Sequence, residues 1–171
     1  TNNNGNNVYA INGGVNLISS LLTGSNGLTA SGGTTTLTNN NTYTGANLVN
    51  SNATLITALA GALGNSTNAL SLSNTGTVNL SGTTQTVGAL TMNGGTLTNG
   101  NLNATTFTLT SGANLINGTM SNTSGYTING GTNTIQGTNN NGNNVYAING
   151  GVNLISSLLT GANGLTASGG T

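Results

Sequence analysis

One sequence frame returns about every twenty residues. This constrains the chain more than any other feature. "YTINGGTNTIQG" at 126–137 is answered twenty residues later by "YAINGGVNLISS" at 146–157, with Tyr126 over Tyr146, Ile128 over Ile148, Asn133 over Asn153 and Ile135 over Ile155. "FTLTSGANLING" at 107–118, "LTMNGGTLTNG" at 90–100 and "LSLSNTGTVNLSG" at 70–82 share the frame, the last with a one-residue shift after its turn. "LTASGGTTTL" at 28–37 and a weaker copy, "NLVNSNATLI" at 47–56, complete it. Units begin near residues 9, 28, 47, 70, 90, 107, 126, 146 and 165. A longer period encloses the short one. Residues 138–171 repeat 1–34 at every position but one, where Ser25 gives way to Ala162. The chain therefore reads as one long repeat, 1–137, and the start of the next, 138–171, with seven units to the long repeat.

Each unit reads apolar–polar–apolar, then a Gly- or Asn-rich turn, then a second short strand. Alternation over such spans is the period of a strand, not of a helix. Gly and Asn supply the positive φ values that tight corners need. A twenty-residue unit cannot bury its apolar face alone, whereas stacked units bury a continuous core. The expectation is an all-β fold: one continuous parallel β-solenoid, or β-helix, over 1–171. Right-handed winding is expected, because parallel crossovers favour that hand. At about 4.8 Å between strands, seven rungs advance each long repeat by roughly 34 Å.

Alternation assigns faces. Leu28, Leu70, Leu90, Phe107, Tyr126 and Tyr146 are expected in one inward column, and Ala30, Leu72, Met92, Leu109, Ile128 and Ile148 in the next. Thr29, Ser71, Thr91, Thr108 and Thr127 lie between them and point outward, a candidate surface-binding stripe interrupted by Ala10 and Ala147. Asn114, Asn133 and Asn153 form a structural ladder of amides, pointing inward or outward. The segment 57–68, "TALAGALGNSTN", breaks the frame. Its Ala and Leu spacing allows a turn or two of helix, but Gly61 and Gly64 favour a bulged loop at a corner. "ISSLLTG" at 18–24 and 155–161 is expected as strand and turn.

Composition decides what such a scaffold can do. The chain has no Asp, Glu, Lys, Arg, His, Cys, Pro or Trp. General acid–base work needs a group that exchanges protons near the working pH, and Ser or Thr needs a neighbouring base to become a nucleophile. Zinc and calcium sites lack their usual ligands, and phosphate binding lacks its cations. No enzyme activity, cofactor, metal or nucleic-acid partner is expected. Asn, Thr and Gly make up more than half of the residues, yet a third are apolar and regularly placed, which argues for a packed fold over a disordered one. The longest apolar stretch, "LITALAGAL" at 55–63, is too short to span a bilayer. Asn-x-Ser/Thr occurs at Asn40, Asn52, Asn65, Asn79, Asn103, Asn117 and Asn122, at a frequency that so Asn- and Thr-rich a chain also produces by chance.

The stretch "GLTASGGTTTLTNNNTYTGANLVNSNATL" at 27–55, with "TLT" at 36–38, "NTYTG" at 41–45 and "ATL" at 53–55, resembles the passenger-associated repeat of bacterial autotransporters. "TVGALTMNGGTLTNG" at 86–100 is similar to the stretches between such repeats. The resemblance implies a secreted, surface-displayed β-helical passenger or giant adhesin, with extracellular or cell-surface location. The repeat is a structural module, so no functional residues carry over. The leading expectation is a structural segment of a long bacterial fibre or adhesin that associates with itself into filaments or bundles and reaches cell-surface or glycan targets. An absence of net charge favours that association. The alternative is an ice- or polysaccharide-binding solenoid that uses a flat Thr and Asn face.

Overall fold

A computed structural model describes residues 1–3, 5–161 and 163–171; Ala162, the one difference between the two copies, lies outside the described residues. The described chain is a parallel β-solenoid of about eight turns, each of roughly 20 residues, with no helix. Every strand pair has parallel register between successive turns. Beyond Thr57, the last residue of the strand Thr54–Thr57, the corner loop runs over 58–69 and stretches its turn from 47 to the next start at 70.

Each turn presents up to three sides. The first side carries Tyr9–Ile11, Leu28–Ala30, Asn47–Val49 and Leu70–Ser73, and later Tyr146–Ile148 and Leu165–Ala167. Its register pairs Tyr9 with Leu28, Leu70 with Leu90, and Tyr126 with Tyr146. The second side carries Val15–Ile18, Thr34–Leu37, Thr54–Thr57 and Thr77–Asn79, then Thr132–Gln136 and Val152–Ile155. The third is made of short strands such as Asn2–Asn3, Leu22–Thr23, Thr138–Asn140 and Leu158–Thr160. Thr84–Ile128 is a single strand of 45 residues that bends round the corners and supplies all three sides in turn.

The corner between the first and second sides needs glycine for two reasons at once. Gly131 and Gly151 have φ of 87° and 88°, in the left-handed region. A Cβ on Gly131 would also stand 2.6 Å from Gly112 O, and one on Gly151 2.5 Å from Gly131 O. Successive corners are thus stacked backbone on backbone, which sets the close spacing of the turns.

The core is the interior of this coil. Leu28, Leu70, Leu90, Phe107, Tyr126 and Tyr146 form one buried column, and Ala30, Leu72, Met92, Leu109 and Ile128 the next, as alternation requires. Phe107 and Tyr126 stack with ring centroids 5.4 Å apart, and Tyr126 and Tyr146 tilt at 5.6 Å. The third side contributes Leu22, Leu102 and Met120.

Asn139 is the misfit in that last column. Register places it between Met120 and Leu159, fully buried, and neither amide atom of its side chain has a hydrogen-bond partner among the described residues. An unsatisfied buried amide costs free energy that an apolar group of similar shape recovers. Asn139→Leu is expected to raise stability by about 1 kcal/mol, read as a higher urea midpoint at unchanged slope; a lower midpoint would show that the amide is bonded in solution.

Candidate functional site

With no ionisable side chain but tyrosine, any site on this chain must work through hydroxyls, amides and methyl groups. These are arranged as columns along the solenoid, because each turn places its side chains over those of the turn before.

The Asn ladder is internal. Asn114 and Asn133 are buried and Asn153 is half-buried. Asn114 Nδ2 donates to Asn133 Oδ1 at 2.7 Å, and Asn133 Nδ2 donates to Asn153 Oδ1 at 2.8 Å. Each Nδ2 also donates to the carbonyl three residues before it, Ser111 O, Gly130 O and Gly150 O respectively. Asn114 Oδ1 accepts from Gly94 N at 2.8 Å. The ladder thus fastens each Gly-rich corner to its own strand and to the next turn. Asn16 makes the same corner bond to Gly13 O at 2.9 Å. The ladder is a scaffold element whose amides are bonded within the coil.

The stripe Thr29, Ser71, Thr91, Thr108 and Thr127 lies on the outer surface of the first side, each residue half-buried between its neighbours. Register pairs Thr29 with Ala10 and with Leu48, Leu48 with Ser71, Ser71 with Thr91, and Thr127 with Ala147. Residues 107–110 join this side through Thr110 Oγ1, which donates to Met92 O at 3.2 Å, and Leu109 O, which accepts from Asn129 N. The column is therefore broken by Leu48 as well as by Ala10 and Ala147. Two residues further along each strand runs a second column, through Asn93, Thr110, Asn129, Asn149 and Ser168, that is polar on each of those turns. Its members bond to one another: Asn149 Nδ2 donates to Asn129 Oδ1 at 3.0 Å, and Ser168 Oγ to Asn149 Oδ1 at 3.1 Å. Alternation two residues on from the first stripe is the signal that reveals this column.

Tyr43, Tyr126 and Tyr146 are core groups, and Tyr9 is partly buried against the core. Tyr9 Oη lies 2.6 Å from both Asn2 O and Thr23 O, with one proton shared between the two acceptors; Tyr146 Oη lies in the same way 2.6 Å from Asn139 O and 2.8 Å from Thr160 O. Tyr43, at the centre of "NTYTG", is fully buried and donates to Asn47 Oδ1 at 2.6 Å. Asn47 Nδ2 donates to Leu63 O at 2.9 Å, and Asn68 Nδ2 donates to Tyr43 O at 3.0 Å. This network ties the 58–69 loop to the coil. Asn41 serves similarly: its Oδ1 accepts from Leu22 N and its Nδ2 donates to Ala62 O, bridging three turns.

Comparison of the chain with protein-family models, with curated proteins and with solved structures finds no match. Of the Asn-x-Ser/Thr positions, Asn40, Asn52, Asn65, Asn103 and Asn117 are exposed, whereas Asn122 is buried.

Burial pushes the hydroxyls of Tyr43 and Tyr126 well above the ordinary value of 10.0, and that of Tyr146 upward; the Tyr126 hydroxyl has no partner among the described residues to offset its desolvation. A group whose folded pKa is raised contributes stability that is present in full below the unfolded pKa and is lost as pH rises beyond it. No side chain titrates at lower pH. The melting temperature is therefore expected to stay level between pH 3 and pH 8 and to fall above pH 10. A marked shift between pH 3 and pH 8 would contradict the assignment.

Proposed function

We propose that this chain is a stretch of a long bacterial surface fibre or adhesin, built from tandem solenoid repeats, secreted or displayed at the cell surface, without catalytic work of its own. Its partners are further copies of itself, in filaments or bundles, and cell-surface or glycan targets; nucleic acid and membrane insertion have no place in this reading. The observation that carries it is the sameness of the two copies in the coil. The Tyr146 hydroxyl clamps Asn139 O and Thr160 O as the Tyr9 hydroxyl clamps Asn2 O and Thr23 O, so the second repeat resumes the coil as the first began it. A repeat of this kind adds length without an adaptor. The "NTYTG" resemblance supports the surface location.

Electron microscopy of the native material near neutral pH tests the proposal. Filaments or bundles with an axial repeat of roughly 34 Å, seven strand spacings, are expected. Short rods that remain separate would defeat it.

A second reading, binding of ice or a polysaccharide, is favoured by the polar column through Asn93, Thr110, Asn129 and Asn149 on the first side. Thermal hysteresis or retention on an insoluble polysaccharide in dilute solution would put it first.

A further inference from the structure

The second side differs from the first in what it shows to solvent. Its outer column begins at Val15, continues through Thr34, Thr54, Thr77 and Thr96, and reaches Val152 one repeat later. The column beside it carries Leu17, Ile56, Leu115 and Leu154, separated by threonine or asparagine. Val152 and Leu154, paired with Thr132 and Thr134 of the turn before, are 59% and 62% exposed, and Leu115 is 36% exposed. Where the first side's Asn and Ser side chains bond to one another, the hydroxyls of Thr34, Thr54, Thr77 and Thr96 have no partner among the described residues. The face is thus a ribbed sheet of methyl groups and unpaired hydroxyls, without a charge.

We propose that this second side is the surface by which two copies of the chain pack laterally, sheet on sheet. The proposal rests on the self-association reading above and names its interface. Three features point to a second copy as the occupant. A chain without any charged side chain offers nothing for a charged partner to recognise, and nothing to hold its own copies apart. Ribs about 4.8 Å apart match the ribs of another sheet, and stacked sheets interdigitate short side chains at about 10 Å. The area is also sufficient. Eight turns at about 4.8 Å and four residues at about 3.3 Å make a patch of roughly 500 Å² per partner, so roughly 1,000 Å² in total, the lower bound for a specific interface. Each further repeat extends the patch. The apolar pair recurs every 137 residues, so arrays shifted by whole repeats set Val and Leu against Val and Leu.

Sedimentation velocity of the 171-residue chain, up to millimolar concentration, tests this, with far-ultraviolet circular dichroism to confirm the sheet. The wild type is expected to associate. Thr54→Lys/Thr96→Lys is expected to stay monomeric, since a buried ammonium here finds no carboxylate to pair with. Thr91→Lys, on the first side, is expected to associate as the wild type does. Because the chain has no cysteine, Thr77→Cys and Thr91→Cys each carry a single thiol, which keeps the test open if the lysine variant misfolds. Oxidation is expected to give disulfide-linked dimers from Thr77→Cys and not from Thr91→Cys. A wild type that stays monomeric throughout overturns both this interface and the self-association reading. Association undiminished by Thr54→Lys/Thr96→Lys, or equal cross-linking at both thiols, overturns this interface alone. A monomeric wild type whose ice or polysaccharide binding vanishes in Thr54→Lys/Thr96→Lys assigns the face to that ligand instead.

Discussion

Asn133→Asp is expected to cost roughly 3–5 kcal/mol at neutral pH, as an unpaired buried charge does, and to give the solenoid an acid-side pH dependence that it otherwise lacks. Asn133 is 1% exposed. Its amide nitrogen serves two acceptors, Gly130 O at 3.0 Å and Asn153 Oδ1 at 2.8 Å, while its oxygen accepts from Asn114 Nδ2 at 2.7 Å. A carboxylate keeps the last bond and turns an oxygen toward both acceptors. No cationic side chain exists to compensate. Burial and facing acceptors both raise the pKa of the new carboxyl in the folded state. Stability is then retained below the unfolded value of about 4 and lost as pH rises through the folded one. Urea midpoints at pH 3 and pH 7 check this: the variant should lie nearer the wild type at pH 3. Equal midpoints at pH 7 would mean that the ladder is open to water. Asn153→Asp, at the half-buried end of the ladder, should show the same sign with smaller size.

That the ladder faces inward was legible in principle. Asn114, Asn133 and Asn153 each stand two residues before an isoleucine, Ile116, Ile135 and Ile155. Side chains two apart in a strand share a face, so an inward isoleucine carries its asparagine inward. Polarity argued the other way, and only the paired bonds along the ladder show why burial is tolerated. The columns through Phe107 and Leu109 were legible because apolar alternation and the twenty-residue frame agree there. At Asn47 they disagree: the position belongs to the apolar column, and the asparagine is buried because Tyr43 and Leu63 take both ends of its amide. That solution depends on the 58–69 loop folding back, a contact between residues that no short-range pattern links.

The third side was the least legible. Its strands are two or three residues long, and "NN" at 2–3 or "TNN" at 138–140 carries no alternation from which to read a strand. The outward stripe of the first side is the easier one to read, because its threonines follow the most regular apolar residues. The second side's Thr34-x-Thr36, Thr96-x-Thr98 and Thr132-x-Thr134 display two outward threonines per turn and are flanked by the exposed Val and Leu. Its inward partners, among them Thr35 and Asn133, are themselves polar, and this hid the parity.

Gly27→Ala is expected to be the most damaging single-methyl change in the chain, abolishing the cooperative melting transition or costing on the order of 4 kcal/mol, beyond the usual range for a point substitution. The reason is packing against backbone. A Cβ on Gly27 would stand 1.7 Å from Ala46 O and 2.6 Å from Gly45 C, and one on Gly45 would stand 2.1 Å from Gly27 N. Here two turns touch main chain to main chain, and neither side has a flexible end to move away. Leu28 N donates to Ala46 O at 3.1 Å beside this contact, so relieving the clash pulls apart Leu28 and Asn47, which register pairs on the first side. Gly82 is the control. Its φ of 74° strains any L-residue, but a Cβ there meets nothing within 4 Å. Gly82→Ala should therefore cost about 1 kcal/mol, the expense of left-handed backbone alone. Thermal melts of the two variants separate crowding from strain. If they melt together, the contact between Gly27 and Gly45 is looser than the stacking of turns requires. The glycine of "NTYTG" would then serve its turn and not the packing between turns.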